Sequence, residues 1–198
     1  VFAGIQHEGT HVVEDCFSIG KVEGTNTLGG FIGTPSQRKS PIKSTFNRCY
    51  STAMVGMMSE SQRVGSFIGG HKAQTEPATG SLDLSLNDCY GAGEIGALDA
   101  NVFENRGTNS NTSGGFMGEH DSRIKYTNCY YDKQTTAMRE WAIGTNDATG
   151  GYTSTQSESM GVKGVLTTDT AKSGTGLVSN PTSSDNKDKD GNTNQSFT

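Results

Sequence analysis

Composition and charge narrow the possibilities for this chain of 198 residues. Only 31% of its residues are hydrophobic and 27 are glycine, so it cannot fill a wide globular core, although small side chains can line a narrow one. The formal net charge of −5 argues against nucleic acid as a partner, because nucleic-acid binding needs a concentrated basic face. No apolar run approaches the roughly 20 residues of a transmembrane helix, and no signal peptide is visible.

The first recurring motif is Val1-Phe2-Ala3-Gly4 at the start of the chain. Recurrence at intervals of about 20 to 50 residues is typical of repeat architectures. We therefore expect the chain to start inside a coil, with further repeats before it. The motif returns as Gly30-Phe31-Ile32-Gly33, Ser66-Phe67-Ile68-Gly69 and Gly115-Phe116-Met117-Gly118.

His7-Glu8-Gly9-Thr10-His11 matches the H-E-x-x-H pattern of zinc proteases. That chemistry requires a helix, which places both histidines on one face and directs the glutamate at a zinc-bound water. Gly9 and Thr10 are poor helix formers, and two valines follow them directly. We therefore predict that this segment is loop or strand and that its histidines face solvent.

A second motif places an aromatic residue directly after each of four cysteines, which are 33 or 40 residues apart. Alternate positions after the first three cysteines hold small or mildly apolar residues, as in Cys49, Ser51, Ala53 and Val55. Alternation with period two indicates a β-strand. The four cysteines are Cys16, Cys49, Cys89 and Cys129.

These repeats predict an all-β fold, a parallel β-helix or β-solenoid of about three to four coils. The solenoid is assigned to residues 1–144, and residues 145–198 to an irregular extended segment. Successive cysteines are expected about 5 Å apart, as in neighbouring strands of a parallel sheet. We predict a structural role in the repeat core for the four cysteines and for Phe31, Phe67 and Phe116.

The cysteines allow three interpretations. Zinc ligation usually uses close pairs such as C-x-x-C, which this chain lacks. Disulfides between neighbouring coils suit an extracellular protein, but parallel strands in register give an awkward geometry for the bridge. A column of reduced thiols that serve as small apolar core residues is the interpretation that the fixed repeat position favours.

The aromatic residues that follow the cysteines form a second predicted column. Flat rings stack on sugar faces, so the column is a candidate surface for carbohydrate or another partner. The alternative is a stabilising stack that loops or a neighbouring subunit cover. The column consists of Phe17, Tyr50, Tyr90 and Tyr130.

The C-terminal segment 145–198 is rich in Gly, Ser, Thr and Asn and is predicted to be a linker or an assembly arm. We expect it to pack along the solenoid or against a neighbouring chain. Asn186, Asp188 and Asp190 resemble the start of a calcium loop, with Gly191 at the turn. Phe197 stands where such a loop needs a bidentate Glu, so calcium is the lesser alternative to a polar linker.

The two motifs together resemble the GLUG repeats of bacterial surface proteins, over about residues 1–144. The clearest match runs from Cys16-Phe17-Ser18 to Gly30-Phe31-Ile32-Gly33. The resemblance implies a secreted or cell-wall-attached protein, often an adhesin, and carries no catalytic residues onto this chain. Ser66 departs from the pattern, since it replaces the first of two paired glycines.

The expected function is therefore a non-enzymatic structural or adhesive module of a bacterial extracellular surface protein or filament. Its expected partners are neighbouring repeats or copies of the same protein, and host or matrix glycans or proteins. Two alternatives stay open: a carbohydrate-binding or carbohydrate-active β-helix domain, and a passive domain of a larger secreted peptidase. No paired carboxylates of the kind that glycoside hydrolysis uses are apparent in the repeats.

Overall fold

The computed structural model describes residues 9–35, 42–57, 63–70, 82–97, 112–120, 124–136, 138, 141–144 and 151–165. Within these residues the chain repeats one path, in which short strands are separated by corners. Coil 1 contains β1 (Gly9–Glu14), β2 (Phe17–Ser18), β3 (Lys21–Gly24) and β4 (Thr27–Gly29).

Coils 2 and 3 follow the same order of strands. Coil 2 contains β5 (Ile42–Asn47), β6 (Tyr50–Ser51), β7 (Met54–Met57) and β8 (Arg63–Gly65). Coil 3 contains β9 (Leu82–Asn87), β10 (Tyr90–Gly91), β11 (Ile95–Ala97) and β12 (Ser113–Gly114).

Coil 4 departs from this order after its second strand. It contains β13 (Ile124–Thr127), β14 (Cys129–Asp132) and β15 (Trp141–Ile143). The described chain then ends with β16 (Tyr152–Thr153), α1 (Ser154–Ser159) and β17 (Val162–Val165).

Equivalent strands of successive coils pair in parallel and stack into four sheets. Their orders are β1-β5-β9-β13, β2-β6-β10-β14-β17, β3-β7-β11 and β4-β8-β12. Parallel bridges join Ile32, Ile68, Met117 and Ile143 into a further row beside these sheets. Stacked parallel sheets of short strands are the architecture of an all-β parallel β-helix, and this prediction is confirmed.

The interior of the stack is narrow and is filled by columns of equivalent side chains. Phe67 is fully buried and lies face to face with Phe31 and Phe116, at centroid distances of 4.9 and 5.1 Å. The ring of Phe46, on β5, packs edge-on against the ring of Phe31, with the two centroids 6.1 Å apart. Offset-stacked and edge-on contacts are the favoured geometries of aromatic pairs, so register between coils also aligns the rings.

Residues 151–165 differ from the irregular segment expected after residue 144. β16 pairs antiparallel with β15, and α1 begins with a capping box in which Thr153 and Gln156 exchange hydrogen bonds. β17 then pairs in parallel with β14, with Val162 opposite Cys129. The stack of the second sheet therefore gains a fifth strand. The rest of the predicted extended segment lies outside the described residues.

Candidate functional site

The four cysteines occupy one equivalent position, next to the corner between the first and second strands of each coil. Cys49, Cys89 and Cys129 are fully buried, whereas Cys16 in coil 1 is partly exposed. All four thiols are free. Each buried thiol lies within hydrogen-bonding range of backbone carbonyl oxygens, as between Cys129 Sγ and the Leu86 oxygen at 3.4 Å.

The surroundings of Cys49 and Cys89 keep these two thiols protonated. The pKa of Cys49 is raised far above the ordinary thiol value, first by a hydrogen bond with Cys89 and then by burial. The pKa of Cys89 is raised first by burial and then by a hydrogen bond with Cys129. Because the thiolate is the form that attacks electrophiles and binds metals, these residues are poor nucleophiles and pack as small core residues.

A second column of inward-facing residues lies two positions after the cysteines, and its side chains differ in size from coil to coil. Ser18, Ser51, Gly91 and Tyr131 lie opposite one another in successive coils. A Cβ atom on Gly91 would collide with the Ser66 hydroxyl group, which donates to the Gly115 oxygen. Ser66, the departure from the GLUG pattern, therefore fits because its neighbour in the next coil has no side chain.

A similar compensation of side-chain size leaves room for Tyr131 in the interior of coil 4. Tyr131 is fully buried at a position where coils 1 and 2 carry serine. A Cβ atom on Gly115 or on Gly164 would collide with the Tyr131 side chain. The sequence motifs did not predict these pairings, because the partners lie far apart in the chain. The available signal was a change in side-chain size at two distant repeat positions.

The predicted aromatic column exists, and its members pair in register on the outer side of the second sheet. Its exposure is uneven: the side chain of Phe17 is 55% exposed, whereas Tyr90 and Tyr130 are only 3% and 6% exposed. Phe17 and Tyr50 are stacked, with centroids 5.3 Å apart and planes inclined by 12°. The two rings thus cover one face of each other.

This geometry limits what the column can bind. A sugar stacks on a ring face, but two of the rings are buried and the other two cover one another. The available face is that of Phe17 turned away from Tyr50. Within the described residues a sugar contact would therefore be confined to Phe17, and both interpretations of the column stay predictions.

A polar row on the corner before each cysteine was not predicted. Asp15, Arg48, Asp88 and Asn128 all adopt the left-handed conformation, with φ between 50° and 53°. Arg48 binds both carboxylate oxygens of Asp15, at 2.6 and 2.8 Å, and Asn128 donates to Asp88 at 3.2 Å. Three of the four residues are Asp or Asn, which tolerate this conformation, and that was the available signal.

The charged groups at this corner interact mainly with their direct neighbours. The hydrogen bond from Arg48 is the main cause that lowers the pKa of the Asp15 carboxyl group, and burial opposes it. Beside the corner, the Asn47 amide donates to Glu14 at 2.6 Å, and the Asn87 amide donates to Asn47 at 2.8 Å. The corner therefore joins neighbouring coils through a chain of exposed and half-exposed polar contacts.

One buried ion pair joins coils 2 and 3 on the other side of the stack. Arg63 and Glu119 bind through the Nε and Oε2 atoms, and their side chains are 15% and 7% exposed. Removing one partner would leave a buried charge without compensation, which is strongly destabilising. The pair therefore favours the register of the fourth sheet. No residue pattern in the sequence predicted this pair.

A shallow cavity of about 200 Å³ lies beside β14 and β17. Its two charged residues, Lys163 and Glu158, form an ion pair at 3.3 Å, so their charges compensate each other. The cavity therefore offers polar groups of both signs and no concentrated charge. Its lining residues are Asn128, Cys129, Tyr130, Glu158, Gly161 and Lys163.

Of the two metal-binding patterns in the sequence, only the first lies partly within the described residues. Gly9, Thr10 and His11 belong to β1, so the helix that H-E-x-x-H chemistry requires does not form there. His7, Glu8 and the calcium candidates Asn186, Asp188 and Asp190 lie outside the described residues. Among the residues that the structure describes, no group of three or more His, Cys, Asp or Glu could hold a metal ion.

The described part of the chain holds no helix with the length and apolarity needed to cross a membrane. No protein-family model, curated protein or solved structure matches the sequence. The resemblance to GLUG repeats therefore rests on the two motifs alone and stays a prediction.

Proposed function

We propose that the chain is a non-enzymatic structural or adhesive module of a bacterial extracellular surface protein or filament. The observation that carries the proposal is the continuous pairing of equivalent strands, through four coils in the first two sheets and three coils in the other two. Each coil adds about 5 Å along the stack, so the module sets a defined distance between what lies at its two ends. The extracellular location rests on the resemblance to GLUG repeats.

Packing supports a mechanical role. The first sheet pairs β1 with β5 and β5 with β9 over six residues each, so many backbone hydrogen bonds must break before the coils separate. The Phe31–Phe67–Phe116 column ties the opposite side of the same coils together. A chain pulled at both ends should therefore resist extension until whole coils are lost.

Single-molecule force spectroscopy on the full chain tests this proposal. We expect the length to stay constant under load and then to increase in steps that correspond to one coil or more. Phe67→Ala should lower the force of the first steps, because it empties the centre of the aromatic column. Lys125→Ala, at an exposed position on β13, is the matched control. Smooth extension at low force would refute the proposed stiff module.

The carbohydrate-binding alternative has one supporting observation, the available face of Phe17. A glycan array probed with the chain and with Phe17→Ala tests it directly. Binding that Phe17→Ala abolishes and Tyr90→Ala retains would favour a sugar contact at the end of the column. Equal signals from all three proteins would assign no glycan contact to these rings.

A further inference from the structure

The ion pair of Arg63 and Glu119 is built from two departures from the repeat. Arg63 is the first residue of β8 and pairs with Thr27 of coil 1, so a long cation stands where coil 1 has a small polar residue. Glu119 directly follows the Phe-x-Gly motif of coil 3, where coils 1 and 2 carry Thr34 and Gly70. One charge of each sign has therefore entered the stack, the cation in coil 2 and the anion in coil 3.

The neighbouring coil leaves room for the carboxylate. Gly70 has a φ of 151°, which favours glycine, and a Cβ atom there would lie 2.8 Å from the Cβ atom of Glu119. The side chains of Glu119 and Arg63 are only 7% and 15% exposed, so both charges have lost most of their contact with water. Within the described residues each is the other's ion-pair partner, and no second ion pair involves either of them. The carboxylate therefore compensates a buried guanidinium group by itself.

Two further titratable groups of the described residues change charge in acid, and both are held by coil 4 or the elements after it. His120, the residue after Glu119, packs its ring against Tyr126 and Tyr152, with its Nδ1 atom 3.1 Å from the Tyr126 hydroxyl oxygen. Asp132 is the other buried carboxylate, and its Oδ1 atom accepts from two backbone N–H groups of its own turn. Protonation of these two groups therefore affects contacts of coil 4, whereas protonation of Glu119 affects the contact between coils 2 and 3.

We propose that Glu119 and Arg63 form an acid-sensitive switch between coils 2 and 3, which is paired at neutral pH and broken when Glu119 takes up a proton. Glutamate side chains take up protons as the pH falls through about 4. The stabilisation by the pair is therefore present above this range and is lost below it, because an uncharged Glu119 leaves Arg63 as a buried charge without compensation. The fourth sheet would then open at β8, while the hydrogen bonds of the first two sheets, which do not titrate, keep the coils in place.

Hydrogen exchange of the full chain, followed by mass spectrometry at pH 7 and at about pH 3.5, measures the opening of each strand separately. Protection factors, which correct for the intrinsic dependence of exchange on pH, are compared between the two conditions. We expect the protection of peptides that cover β8 to fall by about tenfold or more in acid, because breaking a buried pair is costly. The protection of β5, which belongs to the first sheet of the same coil, should change much less.

Three variants assign the effect to the pair. Glu119→Gln has nearly the shape of the protonated side chain and cannot ionise, so β8 should show low protection at both pH values. Arg63→Thr combined with Glu119→Thr restores the residues that coil 1 carries at these positions, and it should make the protection of β8 independent of pH. Glu158→Gln removes the exposed pair with Lys163 and is the matched control, which should respond to acid as the parent does.

Equal protection of β8 in the parent at both pH values would overturn the inference, and so would an undiminished loss in acid in the double Thr variant. The mechanical consequence, a module that yields at lower force in acid, rests on the proposed function. Force spectroscopy at both pH values keeps the two apart. Steps at the same force in acid would count against the switch and leave the stiff module standing, whereas smooth extension at both pH values would refute the stiff module and leave the exchange result to decide on the switch.

Discussion

At the level of single residues, the interior tolerates departures from the repeat only in matched pairs. Ser66 stands where coils 1 and 3 carry glycine, and Gly91 stands where coils 1 and 2 carry serine. The two residues face each other across the stack, so the volume added in one coil is removed in the next. Close packing explains this, because an interior without voids transmits even a small change of volume to its neighbour.

A double-mutant cycle on this pair is the first prediction. Gly91→Ser alone should lower the free energy of unfolding by about 1–3 kcal/mol, because its side chain would overlap the Ser66 hydroxyl group. Ser66→Gly combined with Gly91→Ser should restore most of that loss, since it transfers the serine from one coil to the other. Urea denaturation of the four proteins gives the coupling energy, and additive effects would show that the two sites do not compete for space.

At the level of elements, the corner between the first and second strands decides how each coil turns. Four non-glycine residues adopt positive φ there, and Gly161, with φ of 94°, takes the equivalent place before β17. The corner N–H groups donate to the next coil, as from Asp88 to the Thr127 oxygen at 2.9 Å. The left-handed corner therefore turns the chain and continues the hydrogen bonding at the same time.

Substitution of Asp88 tests the conformational demand of the corner. Asp88→Val should cost about 1–2 kcal/mol, because a β-branched residue is strongly disfavoured at positive φ. Asp88→Gly should cost less than Asp88→Val, since glycine adopts this conformation freely and loses only the contact with Asn128. Chemical denaturation with circular dichroism measures both changes. Equal losses for the two variants would indicate that the side-chain contact, and not the backbone conformation, matters.

The last described elements depart from the repeated order of strands. Val162 takes the cysteine position in the fifth strand of the second sheet and is fully buried opposite Cys129. The buried Ser157 hydroxyl of α1 donates to the Val162 oxygen at 2.9 Å, which ties the helix to this strand. A helix thus stands directly before β17, where each earlier coil has a strand of the first sheet before its second strand.

At the level of the whole molecule, the cysteine column makes the free energy of unfolding depend on pH in the alkaline range. The pKa values of Cys49 and Cys89 are raised in the folded chain above the ordinary value of 9.0. The folded state therefore holds these protons more tightly than the unfolded chain does. The resulting stabilisation is complete below about pH 9 and is lost as the pH rises above it, because thiolates form first in the unfolded chain.

We accordingly predict that the free energy of unfolding falls between about pH 8 and about pH 10.5 more steeply in the parent chain than in Cys49→Ala/Cys89→Ala. Urea denaturation under reducing conditions, repeated across this range, measures the difference. Tyrosine and lysine titrate in the same range in both proteins, so the double variant serves as their control. Parallel pH profiles would show that the buried thiols do not contribute.

Much of this architecture could be predicted from the sequence, because a stacked repeat places equivalent residues on one another. Cys49, Ser51, Ala53 and Val55 alternate with period two, and all four are buried as that alternation requires. The stacking of Phe31, Phe67 and Phe116 follows from the same logic, since one motif at one repeat position makes one column. Local pattern and repetition were sufficient for the fold class and the core.

The tertiary structure alone decided which positions are covered and which are available. Tyr90 and Tyr130 have the same sequence signature as Phe17, yet they are buried while Phe17 is exposed, because burial depends on the neighbours that each coil meets. The strand at Val162–Val165 lacks the cysteine and the aromatic residue, and it pairs because the edge of β14 accepts its backbone. Backbone pairing and coverage are properties of the assembled stack, and no single repeat encodes them.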